Sequence, residues 1–126
     1  MGPKILIVDD EADVCKNISH FLEKKDFTPI TAYSGKEALE KLEKENPNLI
    51  LLDIRMPDMD GVECLKQIRQ YNKEVIVIMV TCVTDIDIAK KALELGAIDY
   101  ITKPIAFEAL QTAISTYLFL KDSEKT

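Results

Sequence analysis

Leu49-Ile50-Leu51-Leu52, closed by Asp53, is the stretch on which the fold turns. An apolar run with no polar alternation describes a strand covered on both faces, and such strands belong to parallel sheets flanked by helices. Toward the N-terminus, Ser34-Gly35-Lys36-Glu37 is a capping box opening a helix whose Ala38, Leu39 and Leu42 face inward. Before it, Phe27 to Ala32 is a weaker strand, and Pro29 inside it suits a sheet edge. Val14, Cys15, Ile18, Phe21 and Leu22 recur at helical spacing, preceded by a second continuous apolar strand, Ile5-Leu6-Ile7-Val8.

Toward the C-terminus a loop with Pro57 leads to Asp60-Gly61-Val62-Glu63, the start of a helix through about Gln70, with Asp60 as its N-cap. Val75-Ile76-Val77-Ile78-Met79-Val80 is the strongest strand signal of the chain. Thr84 to Leu95 is helical, with Gly96 placed to stop it. Tyr100-Ile101-Thr102 is a short strand, and a last helix runs from Phe107 to about Lys121.

Strand and helix alternate five times. That pattern predicts an α/β, (βα)5 three-layer sandwich around a five-stranded parallel sheet. Right-handed crossovers leave few topologies, and the flavodoxin-like order 2-1-3-4-5 puts the Pro29 strand at an edge. One domain is expected over residues 4–122, with short tails at 1–3 and 123–126 and fraying from Lys121.

The net charge of -6 disfavours nucleic acid and anionic membranes as partners. No apolar run approaches the roughly 20 residues of a membrane span. Met1-Gly2-Pro3-Lys4 leads into a run broken at once by Asp9 and Asp10, unlike a secretion signal. Cys15, Cys64 and Cys82 form no Cys-x-x-Cys and His20 is the single histidine. The cysteines therefore read as small, reduced core residues of a cytoplasmic protein.

In open α/β sheets, ligands bind outside the carboxyl ends of the strands. Here those ends deliver Asp9, Asp10 and Glu11, then Asp53, then Thr81, then Lys103. Singly, each has a plain alternative: a helix cap, a strand-terminal hydroxyl, a solvated lysine. Their arrival at successive strand ends is what those alternatives leave unexplained. Two carboxylates 4 Å apart repel by roughly 4 kcal/mol at an effective dielectric near 20. Such a rim calls for a proton or a cation, and oxygen ligands without histidine or thiol suit Mg²⁺ or Mn²⁺. A carboxylate nucleophile attacking an anionic phosphoryl donor needs that same charge neutralisation.

The sequence resembles the receiver domains of bacterial two-component response regulators from Lys4 to about Leu120. The resemblance rests on Ile7-Val8-Asp9-Asp10-Glu11, on Asp53-Ile54-Arg55-Met56-Pro57-Asp58-Met59-Asp60-Gly61 with Glu63, on Thr81, on Gly96-Ala97-Ile98-Asp99-Tyr100 and on Ile101-Thr102-Lys103-Pro104. It implies that Asp53 is phosphorylated by a sensor histidine kinase or a histidine phosphotransfer protein. It also implies Mg²⁺ held by Asp9, Asp10, Asp53 and the Arg55 backbone carbonyl. Thr81 and Tyr100 would be switch residues, Lys103 would pair with phosphoryl oxygens, and the Lys103-Pro104 bond would be cis. Activation would remodel the face formed by the fourth helix, fifth strand and fifth helix, where a second copy or an effector domain would dock.

Arg55, Cys82 and Val83 occupy positions expected to tune the lifetime of the phosphoryl group, with Cys82 bulkier than the family's usual residue. On the last helix, Phe107, Leu110, Ala113, Ile114, Tyr117 and Leu118 share a face at 100° per residue, whereas Phe119 lies opposite, as an interface residue would. Other readings fare worse. A dehalogenase-type phosphatase needs an acid where Arg55 stands, so a signalling phosphoacceptor is expected, not a turnover enzyme. A flavodoxin needs hydroxyls and amides where Asp9-Asp10-Glu11 stand. A receiver-like interaction module without phosphorylation would not require the intact acidic set.

Overall fold

The computed structural model describes residues 2–124. Strands β1 (Lys4–Val8), β2 (Thr28–Ala32), β3 (Leu49–Asp53), β4 (Ile76–Thr81) and β5 (Asp99–Thr102) alternate with helices α1 (Ala12–Lys24), α2 (Gly35–Glu45), α3 (Gly61–Tyr71), α4 (Ile86–Glu94) and α5 (Phe107–Glu124). The sheet is parallel throughout, in the order β2-β1-β3-β4-β5. The five-stranded flavodoxin-like arrangement is thus present, with the Pro29 strand at an edge and paired to β1 alone.

Side-chain alternation along the strands splits the core into two layers. Leu6, Val8, Ile50, Leu52, Val77 and Met79 pack toward α2, α3 and α4. Ile5, Ile7, Leu49, Leu51, Ile76, Ile78 and Val80 pack toward α1 and α5. All of these strand residues are buried, which is why β1, β3 and β4 carry no polar alternation.

Helix starts follow from named caps. The Ser34 hydroxyl accepts from the Glu37 N–H at 3.1 Å, whereas the Glu37 carboxylate turns one residue further back, to the Tyr33 N–H at 2.5 Å. Asp60 caps α3 by accepting from the Glu63 N–H at 2.8 Å. Gly96 stops α4 at φ +113°, a conformation that L side chains avoid.

Three expectations need correction. The fourth helix does not begin at Thr84: Val83–Asp85 is a 3-10 turn and α4 starts at Ile86. The last helix does not fray from Lys121 but continues to Glu124, and the Lys121 ammonium reaches the Glu74 carbonyl at 2.6 Å. Cys82 is exposed rather than part of the core, which holds only Cys15 and Cys64 of the three cysteines. No helix of the described residues is long and apolar enough to cross a membrane.

Candidate phosphoryl-transfer site

The carboxyl ends of β1, β3, β4 and β5 meet at one rim. Asp53 ends β3 in register with Val80, and Lys103 follows β5 with its N–H bonded to the Thr81 carbonyl at 2.7 Å. The fifth-strand lysine is thereby set beside the fourth-strand threonine. Asp9 follows β1, and its N–H donates to the Ala32 carbonyl at 3.1 Å.

One carboxylate oxygen each from Asp9, Asp10 and Asp53 lies within 4.8 Å of the others. Asp9 and Asp53 are buried, at 2% and 5% exposure, while Asp10 opens to solvent. The Lys103 ammonium bridges the buried pair, 3.0 Å from Asp9 and 3.4 Å from Asp53, with Glu11 at 3.6 Å. Burial would lower the lysine's pKa, but its bond to Asp9 and the charges of Asp53, Asp9 and Glu11 leave it raised. Lys103 is therefore a fixed cation.

Asp53 behaves differently. Burial and then the charge of Asp9 push its carboxyl from 3.8 up to about 6, although Lys103 and the Arg55 N–H pull the other way. The Arg55 N–H lies 3.4 Å from one Asp53 oxygen. Asp53 thus carries a charge that its site only partly compensates. The donors are hard oxygens at short mutual distance with an exposed flank at Asp10, a set that fits Mg²⁺ or Mn²⁺.

The loop between β3 and α3 is anchored on both sides. Asp58 accepts from the Gly35 and Lys36 N–H groups, each at 3.0 Å, at the start of α2. Gly61 packs against the acceptor strand so closely that a Cβ there would sit 2.3 Å from the Asp53 carbonyl oxygen.

Most of the remaining predicted residues lie on the strands and turns around this centre, whereas Phe119 sits toward the end of α5, two residues before the Lys121 that reaches Glu74 ahead of β4. The buried Thr81 donates its hydroxyl to the Cys82 carbonyl at 3.1 Å. Tyr100 is partly buried against the α2–α4 side of the core. The Lys103-Pro104 bond is cis. Val83 is 66% exposed and Phe119 69% exposed, both free of the core. Leu110 and Ile114 are the buried members of the α5 face, as its spacing implies.

Asp85 escaped the sequence reading. It is buried at 3% exposure and takes the Arg55 guanidinium bidentately, both contacts at 2.7 Å. The bond to Arg55 holds its carboxyl down to about 2. An acid at a helix start looks like a cap, and nothing in the local sequence points to an arginine 30 residues earlier.

A model of the response regulator receiver domain matches residues 5–115. Sporulation initiation phosphotransferase F of Bacillus subtilis is 34% identical over 123 residues, covering 98% of this chain and 99% of that protein. The alkaline phosphatase synthesis transcriptional regulatory protein PhoP of the same organism is 39% identical over 118 residues, covering 94% of this chain but 49% of that protein. The crystal structure of a CheY-like response regulator receiver domain protein from Methanospirillum hungatei superposes with a TM-score of 0.93 at 32% identity, covering 98% of this chain and 99% of that one. A family match across most of the chain, a relative alike over nearly its whole length and the same fold lead to one conclusion: this chain belongs to the receiver domains of two-component response regulators.

Proposed function

We propose that Asp53 accepts a phosphoryl group from a phosphohistidine, on a sensor histidine kinase or a histidine phosphotransfer protein. The observation that carries this reading is the incompletely neutralised Asp53 carboxylate, buried beside Asp9 and Lys103 on a rim with an exposed acidic flank. A divalent cation, Mg²⁺ first and Mn²⁺ second, would be held by Asp9, Asp10, Asp53 and the Arg55 carbonyl. It supplies neutralisation of phosphoryl oxygens in a transfer that is mostly positioning and charge stabilisation. Lys103 binds a further oxygen as a point charge, and Thr81 donates its hydroxyl once it leaves the Cys82 carbonyl.

The modified carboxylate carries a charge nearer -2 and more acceptor oxygens. Contacts from Thr81 and Lys103 that strengthen in that state bias the domain between two conformations, with Tyr100 following Thr81. Arg55, Cys82 and Val83, which border the site or stand exposed near it, set the lifetime of the acyl phosphate. The output face is α4–β5–α5, where exposed Phe119 meets a second copy or an effector domain. PhoP, about half covered by this chain, supports an effector of that kind. The domain is a signalling phosphoacceptor rather than a turnover enzyme, and it works in the cytoplasm beside its kinase. The domain unit is residues 4–122.

The test is intact-mass measurement after incubation with acetyl phosphate and Mg²⁺, beside Asp53→Asn and beside EDTA. One phosphoryl group, labile to hydroxylamine and to alkali as an acyl phosphate is, is expected on the wild type with Mg²⁺ and none in either control. A wild type unmodified by acetyl phosphate and also by a phosphorylated kinase would leave an interaction module as the better reading. For the output face, Phe119→Ser should weaken self-association across a concentration series; unchanged association would remove the homodimer from the proposal.

A further inference from the structure

Two of the strand-end loops are joined by an ion pair that the transfer chemistry does not use. Arg55 donates through Nε and a terminal nitrogen to the two carboxylate oxygens of Asp85, at 2.7 Å each. Asp85 closes the 3-10 turn after β4 and immediately precedes α4. Its other side-chain contact is the Cys82 thiol at 3.3 Å, which in turn meets the Thr84 hydroxyl at 3.0 Å.

The two partners differ sharply in environment. The Arg55 side chain is 73% exposed and that of Asp85 is 4% exposed. A long arginine in open solvent would sample many rotamers, and holding it in one has an entropic cost. A fixed, buried carboxylate with matching fork geometry selects a single placement. The buried member therefore dictates where the exposed member sits. The same arginine touches the acceptor through its backbone, because its N–H faces Asp53 at 3.4 Å. One residue thus contacts the phosphoryl site with its main chain and the start of α4 with its side chain.

We propose that Asp85 is a positioning residue: it fixes the side chain of Arg55, which with Asp10 and Ile54 lines the cleft next to the acceptor, and, through that pair, ties the acceptor loop to the first turn of α4. The inference rests on Asp53 being the phosphoacceptor. Fixed there, the guanidinium narrows the approach of water to the acyl phosphate. Losing Asp85 frees the guanidinium, and losing Arg55 leaves a buried carboxylate without its cation, so the turn before α4 must rearrange.

The test compares wild type, Asp85→Asn, Arg55→Ala and the double variant by two readouts. The first is decay of the acyl phosphate after acetyl phosphate is removed. The second is backbone hydrogen exchange over residues 83–90 in the unmodified protein, which needs no phosphorylation. Each single variant should shorten the lifetime and speed exchange, and the double should be no worse than Arg55→Ala, giving a coupling of about threefold or more in the decay rate. Arg55→Lys, which keeps the charge but loses the fork, should decay faster than wild type.

A wild-type lifetime in Asp85→Asn, or single effects that multiply in the double variant, would overturn the proposal. So would faster exchange in Asp85→Asn with no change in decay, since that is the mark of a purely structural acid. If the wild type takes up no phosphoryl group at all, the reading of Asp53 fails and the lifetime claim goes with it. Hydrogen exchange then still decides whether the pair holds α4.

Discussion

Replacing Asp53 by asparagine should stabilise the protein in the absence of divalent metal, although it removes the proposed phosphoacceptor. The Asp53 carboxyl is raised from 3.8 to about 6, chiefly by burial and then by Asp9. Each tenfold change in proton affinity is worth about 1.4 kcal/mol, so ionising Asp53 in the folded state costs about 3 kcal/mol. Solvent screening takes little from this figure because Asp53 is 5% exposed. The sign follows from proton binding. Below about pH 4 both folded and unfolded chains hold the proton and the group contributes nothing. Between about pH 4 and 6 the folded chain keeps a proton that the unfolded chain has released, so stability falls as pH rises. Above about pH 6 the full cost persists.

Asparagine keeps the shape without the charge, but it accepts more weakly from Lys103 and from the Arg55 N–H. The net gain at pH 7.5 in EDTA should therefore be about 1–3 kcal/mol, with roughly half of it gone by pH 5. Urea unfolding followed by circular dichroism measures it. Millimolar Mg²⁺ should stabilise the wild type more than Asp53→Asn and narrow the gap. A variant no more stable than wild type at pH 7.5 in EDTA, or a gain unchanged down to pH 5, would refute the reasoning.

Lys103→Met leaves Asp9 and Asp53 facing each other uncompensated, and metal-free stability at pH 7.5 should fall by about 2 kcal/mol. Adding Asp53→Asn should recover most of that loss in the same unfolding assay. Gly61→Ala would drive a methyl to 2.3 Å from the Asp53 carbonyl oxygen and 2.8 Å from the Ile54 Cα, backbone atoms that cannot move aside. A loss of about 2 kcal/mol or more is expected, read from the urea midpoint. Ser34→Ala removes the acceptor for the Glu37 N–H and should cost about 1 kcal/mol, visible as a lower Tm with Mg²⁺ uptake unchanged.

The sheet was legible because its strands are unusually explicit. β1, β3 and β4 are buried on both faces, so their apolar runs admit one reading, and Pro29 marks the edge without any knowledge of pairing. Asp9, Asp53, Thr81 and Lys103 were singled out by one rule, that ligands bind at the carboxyl ends of parallel strands. What the rule could not supply was the partner of each charge. Asp85 looks like an ordinary acid at a helix start, and only the folded chain brings Arg55 to it. Asp58 looks like a loop residue, yet it holds two N–H groups at the start of α2. Cys82 lies among apolar letters in sequence, but a turn after β4 carries it to the surface. The end of α5 was read short because its last residues are polar, and the Lys121 contact with Glu74 is tertiary.

Phosphorylation at Asp53 is tested by locating the phosphoryl group on the chain. After reaction with acetyl phosphate and Mg²⁺, borohydride reduces an aspartyl phosphate to homoserine, and tandem mass spectrometry of the digest reads its position. Homoserine is expected at position 53 alone, dependent on Mg²⁺. Reduction at Asp9, Asp10 or Asp60 with Asp53 intact, or a stable phosphoryl group on His20, would contradict it.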